Sequence, residues 1–127
     1  MTDQRVALKH KKKMLQRRKK HIRKTLIGTP ERPRLLVYRS NRNVFVQLRD
    51  DINDKTITGC STLTPALKKE IEKAAGKIAK AELIGKHVAK LATDKGIKKI
   101  AFDRNGRKYH GRVKAVAEGA RAGGLEL

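Results

Sequence analysis

Residues 35–48 read LLVYRSNRNVFVQL. Leu35-Leu36-Val37-Tyr38 is a short apolar run, and Val44, Val46 and Leu48 alternate with Phe45, Gln47 and Arg49. Alternation with a period of two puts one set of side chains on each face of a β-strand. Between the runs lies Arg39-Ser40-Asn41-Arg42-Asn43, a polar segment of turn-forming character. The stretch therefore predicts a β-hairpin. A second turn, Asp50-Asp51-Ile52-Asn53-Asp54, leads into a third strand at about 56–61, rich in Thr and Ile, which completes an antiparallel meander.

Downstream the period changes. From Pro65 to Gly96 the apolar residues Leu67, Ile71, Ala75, Ile78, Ala79, Ile84, Val88, Leu91 and Ala92 recur mostly at three or four positions, which predicts a helix. Pro65 suits its first turn and Gly96 its end. Gly76 and Gly85 mark a break or a close contact within it. A short strand is expected at Ile97–Phe102, then a polar loop from Asp103 to Gly111. A last helix, Arg112–Ala122, runs through Val113, Val116, Ala117 and Ala120 and ends at Gly123-Gly124. The order β-β-β-α-β-α defines an α+β fold, a small mixed sheet with helices on one face. The helix before the fourth strand permits a parallel crossover. With two Phe, two Tyr and no Trp, the core is aliphatic and modest, and a bound partner is expected to add stability.

Upstream the chain is of another kind. The whole sequence has 33 Lys and Arg against 12 Asp and Glu, a net charge of +21. Residues 1–34 hold thirteen of those cations and only Asp3 and Glu31 as acids. Leu8, Leu15 and Ile22 recur at seven residues, a thin stripe that cannot make a core of its own. Gly28, Pro30 and Pro33 then break the pattern and suggest a hinge. Residues 1–33 thus read as a basic arm, flexible when free and helical once phosphates neutralise it, and 34–127 as a globular domain. A basic membrane-surface helix fits poorly, because this arm lacks a broad apolar face and has neither Trp nor Phe.

The same arithmetic excludes several classes. At 127 residues the chain suits one domain, and it has no apolar stretch long enough to span a membrane. The opening MTDQRVALKHKKK has no apolar segment before its basic run, so no secretory signal and a cytoplasmic location are expected. Cys60 is the only cysteine, so no internal disulfide can form, and its place in a predicted strand makes it a packing residue. The Asp50/Asp51/Asp54 cluster lacks the glycine and distal Glu of a calcium loop, so it reads as turn chemistry. No metal, cofactor or small-molecule substrate is expected.

Two clusters have the chemistry of RNA contact. The first is the hairpin turn, with Arg39, Ser40, Asn41, Arg42 and Asn43 between Tyr38 and Phe45. Arginines, small hydrogen-bonding groups and aromatics suit phosphates, 2′-hydroxyls and exposed bases. A plain hairpin turn with surface arginines has the same local pattern. The second is the loop Asp103-Arg104-Asn105-Gly106-Arg107-Lys108-Tyr109-His110-Gly111-Arg112. Arg104, Arg107, Lys108 and Arg112 bring four cations, Tyr109 or His110 could stack on a base, and Gly111 admits close backbone approach. Asp103 is expected to orient an arginine or the loop backbone. Along the arm, Lys9, Lys11, Lys12, Lys13, Arg17, Arg18, Lys19, Lys20, Arg23 and Lys24 are candidate phosphate contacts, followed by Arg32 and Arg34. A general nucleic-acid compactor is the alternative. An RNA-acting enzyme built on Asp103, Tyr109 and His110 has no paired carboxylate, metal spacing or activated nucleophile to support it.

LLVYRSNRNVFVQLRDD and IAFDRNGRKYHGRVKAVAEGARAGGLEL closely resemble the bacterial large-subunit ribosomal protein eighteen family, which binds 5S ribosomal RNA. The resemblance covers nearly the whole chain, and its specific part is the block FDR-x-G-x-x-YHGRV. It implies a non-enzymatic role in the central protuberance, with 5S rRNA, 23S rRNA and a neighbouring 5S-binding ribosomal protein as partners. Asn105 stands where the family usually has glycine, and Asn tolerates a positive φ. Arg107 stands where an aromatic is usual, and offers a phosphate contact instead of a stack.

Overall fold

The computed structural model describes residues 3–127, and the side chains of all of these except Asp3, Arg23, Lys24 and Thr25. The expected contacts of Arg23 and Lys24 therefore lie outside the described residues. Strands β1 (Arg34–Arg39), β2 (Val44–Asp50) and β3 (Lys55–Ser61) form the expected antiparallel meander. Strand β4 (Ala101–Asp103) lies parallel to β1, giving the order β3-β2-β1-β4. Leu35, Val37, Val44, Val46 and Leu48 point to one face and are buried there. Leu36, Tyr38, Phe45 and Gln47 point to the other, as strand alternation requires.

The fourth strand is shorter and later than Ile97–Phe102. Ile97 and Ile100 are buried, but as part of a core-filling connection. The Ile100 amide donates to Glu126 O, and an isolated bridge pairs Lys99 with Glu126. An apolar run looks the same in sequence whether it enters the core as strand or as loop.

The helix expected over 65–96 is also divided. A 3-10 turn at Pro65–Leu67 precedes α2 (Lys68–Lys73), and α3 spans Gly76–Asp94. The break falls at Ala74 and Ala75, which are extended, and Gly76, at a left-handed φ of +88°, starts the next helix. Helix α4 (Gly111–Ala122) packs on α3, and the two cover the apolar sheet face. Gly85 makes a close contact: a Cβ there would overlap the carbonyl oxygen of Val116, and one on Gly119 would overlap that of Glu82. Ile84, Val88 and Ala92 of α3 and Val116 of α4 join the sheet residues in one aliphatic core. Each such Val, Leu or Ile contributes about 1.5–3 kcal/mol by leaving water.

The arm forms α1 (Asp3–Thr25). Its backbone is helical in this structure. The segment has no Gly or Pro and is dominated by Lys, Arg, Gln, Leu and Met, all good helix formers. Among the described residues no helix is long and apolar enough to cross a membrane.

Candidate nucleic-acid interface

The stripe of α1 finds a small footing on the loop after β4. In that loop Asn105 and Gly106 have φ of +56° and +74°, consecutive left-handed residues that turn the chain sharply. Asn105 thus adopts the conformation a glycine would. The Asp103 carboxylate fixes the turn by accepting from the Asn105 amide at 2.8 Å. Leu15 and the stem of Lys19 lie directly over Gly106, close enough that a Cβ would meet Leu15 Cδ1 at 3.0 Å. Met14 and Ile22 border the neighbouring hollow beside Arg104. Val6 and Leu8, nearer the start of the helix, remain exposed.

The two polar clusters meet. Arg112 at the start of α4 donates from Nη1 to Ser40 O in the hairpin turn, at 2.9 Å. Around this bond lies a cleft of about 530 Å³ lined by Arg18, Arg39, Lys77, Arg107, Lys108 and Arg112, together with His110, Ile78 and two glycines. No acid among the described residues lines it. A second cleft of about 550 Å³ runs between α1 and Arg107, past His10, Lys11, Lys12 and Arg18. Arg18 and Arg107 border both, so the clefts form one cationic track. Like charges crowded on a surface favour an anionic ligand that relieves their repulsion.

Not every candidate reaches the track. Arg17 and Arg104 share the adjoining hollow. Lys9, Lys13 and Lys20 are exposed elsewhere on α1, while Asn41 and Arg42 are exposed at the hairpin tip. Ser40 and Asn43 serve the turn itself: Ser40 N donates to Asn43 O at 2.9 Å, and Asn43 Oδ1 accepts from Thr62 Oγ1 at 2.8 Å. Arg32 is exposed and donates from Nε to Ile100 O. Tyr109 does not line the track; its ring meets Phe102 edge-on at 6.0 Å and its hydroxyl accepts from Arg121. Lys77 was missed, since nothing distinguishes it in sequence from other helical lysines. Its Nζ donates to Asn41 O at 2.9 Å and closes one wall of the cleft.

Arg34 requires a correction. Its guanidinium is buried, with Nη1 donating to Asp103 Oδ2 at 2.9 Å and Nη2 to Asp51 Oδ1 at 3.0 Å. It joins β1, β4 and the turn after β2, and is not available to phosphate. Asp51 also accepts from the Gly28 amide at 2.7 Å, and its own amide donates to Gly28 O at 2.9 Å. Burial pushes the Asp51 carboxyl up, but the Gly28 and Arg34 hydrogen bonds and the charges of Arg34 and Arg49 bring it below its usual value. Asp50 is held low chiefly by the Asn53 side-chain amide, as turn chemistry would have it. Asp103, nearly inaccessible and ion-paired, orients both Arg34 and the loop, and it does not join Tyr109 and His110 in an open catalytic group. Burial pushes the Cys60 thiol up to about 12, which suits a packed side chain and not a nucleophile.

Fold and track together define a basic α+β protein whose cationic track has no acid among its described lining residues. Residues 9–127 match the family described as ribosomal L18 of archaea, bacteria, mitochondria and chloroplast. The chain is 54% identical over 111 residues to a large ribosomal subunit protein uL18 of Nitratidesulfovibrio vulgaris, covering 87% of this chain and 92% of the relative. The uL18 of Thermotoga petrophila is 48% identical over 117 residues, covering 92% and 95%. That of a Synechocystis strain is 50% identical over 117 residues, covering 92% and 97%. The chain belongs to the ribosomal L18 family.

Proposed function

We propose that this protein is a non-enzymatic constituent of the large ribosomal subunit that binds 5S rRNA and helps attach it to 23S rRNA in the central protuberance, beside another 5S-binding ribosomal protein. It acts ribosome-bound in the cytoplasm. The observation that carries the reading is the Arg112–Ser40 bond, which brings two separate cationic segments to one acid-free cleft in a member of this family. The arm, residues 1–33, supplies most of the phosphate contacts, and the body, 34–127, supplies the shaped surface. Affinity then comes largely from counterion release and falls steeply with salt. Specificity comes from RNA shape and unpaired bases.

The test is binding to 5S rRNA against a transfer RNA, at near-physiological salt with excess competitor. A preference of about a hundredfold or more, ~2.7 kcal/mol, is expected. Equal binding to both would mean that charge alone explains the affinity and would favour the general nucleic-acid compactor.

A further inference from the structure

The sheet face turned away from the helices carries an organised patch. Leu36 pairs with Gln47 and Tyr38 with Phe45 across β1 and β2, so the four side chains form a square on one face. The rings of Tyr38 and Phe45 lie 6.1 Å apart with a tilt of 47°. Around them is a hollow of about 480 Å³, bordered also by Lys19 of α1 and by Asn105 of the loop after β4. No acid among the described residues lines it.

This placement is uneconomical for folding. The chain has only four aromatic residues, and its core is otherwise aliphatic. Only Phe102 packs against that core; Tyr38, Phe45 and Tyr109 lie outside it, and Tyr38 is 51% exposed. Leu36, Tyr38 and Phe45 form a contiguous apolar patch beside a hollow on the open sheet face, and such a patch points to a ligand.

We propose that Tyr38 and Phe45 form a platform on which an unpaired RNA base stacks. This inference rests on the RNA-binding reading given above. The π-face of a base matches the exposed ring, and stacking of this kind tolerates any base. Gln47, exposed beside the rings, offers an amide able to donate to and accept from a base edge, while the buried Asn105 forms the floor at the border of the hollow. Lys19 supplies a cation for the attached phosphate. The platform adjoins the cationic track through Asn105-Gly106-Arg107, so one strand can lay its phosphates in the cleft and turn a base onto the sheet.

The test uses the full chain with Tyr38→Leu and Tyr38→Phe, titrated with 5S rRNA and with a fully paired RNA duplex of similar length. Thermal melts establish that each variant is folded. Tyr38→Leu is expected to weaken 5S binding about tenfold, with the salt slope unchanged because every cation facing a phosphate is kept. Duplex binding should be unchanged, and Tyr38→Phe should restore 5S affinity to within about twofold. A folded Tyr38→Leu protein that binds 5S rRNA as well as the parent, or weakens equally on the duplex, would overturn the platform. So would a Tyr38→Phe variant as weak as Tyr38→Leu. These outcomes are separate from the 5S-against-transfer-RNA ratio of the parent protein, which tests the RNA-binding reading by itself.

Discussion

Helices α1 and α3 are of comparable length, 23 and 19 residues, yet different forces hold them. Helix α3 buries Ala81, Ile84, Gly85, Val88, Ala89 and Ala92, and is fixed between sheet and α4. No described side chain of α1 is fully buried, and its footing on the body centres on Leu15 and Lys19 over Gly106. Cations four apart, such as Lys9 and Lys13 or Lys13 and Arg17, oppose the helix by about 0.2–0.5 kcal/mol per pair. The comparison separates two jobs. Burial shapes the body, while α1 presents charge.

Breaking the body should cost most. Arg34→Ala leaves Asp103 buried without its cation, and should lower unfolding free energy by about 3–5 kcal/mol in denaturant titration. A change below about 1 kcal/mol would show that water replaces the guanidinium. The same network sets an acid limit. The Asp51 and Asp50 carboxyls titrate lower in the folded protein than in the unfolded chain. The unfolded state therefore binds more protons, and their stabilising contribution, complete above about pH 4–5, disappears as pH falls through the folded values. Melting temperature should drop between about pH 5 and 3, and less steeply in Asp51→Asn; identical profiles would remove Asp51 from the account.

Removing the arm attacks the other side of the comparison. Deletion of residues 1–27 should leave the circular dichroism melt of the body nearly in place. It should cut 5S affinity by about a hundredfold, ~2.7 kcal/mol. The salt slope should also flatten, by about 0.7–0.9 for each phosphate that the arm no longer neutralises. An unchanged slope would assign the binding charge to the body alone. A sharper probe is Gly85→Ala. In an exposed helix this change stabilises by about 1 kcal/mol, but here the added methyl meets Val116 O, so a loss of about 1–3 kcal/mol is expected. A stabilised variant would mean that the helix pair can separate without cost.

What the sequence made legible follows from locality. The meander was readable because Val44, Val46 and Leu48 alternate within one strand, and each reports its own burial. Gly76 and Gly85 were visible as irregularities, and the structure places the break just before the first and the close contact at the second. The extent of β4 was not readable, because the stretch before it bonds to the distant C-terminal segment, with the Ile100 amide donating to Glu126 O and the Glu126 amide to Lys98 O. The candidate interface divides in the same way. Its cations stand out in sequence, but its shape depends on bonds between residues far apart, such as Arg112 with Ser40 and Lys77 with Asn41. Arg34 looked like one more cation of the arm, and only the approach of Asp51 and Asp103 shows its structural role.

The clasp between Gly28 and Asp51 has a consequence for avidity. Because it pins the chain directly after α1 to the turn following β2, little slack separates α1 from the body residues that complete the cationic track. On the RNA-binding reading proposed above, an RNA held by the body would meet the arm's cations as an intramolecular partner, at an effective concentration of about millimolar for so short a tether. Many individually weak contacts can then act as a single slow-dissociating one.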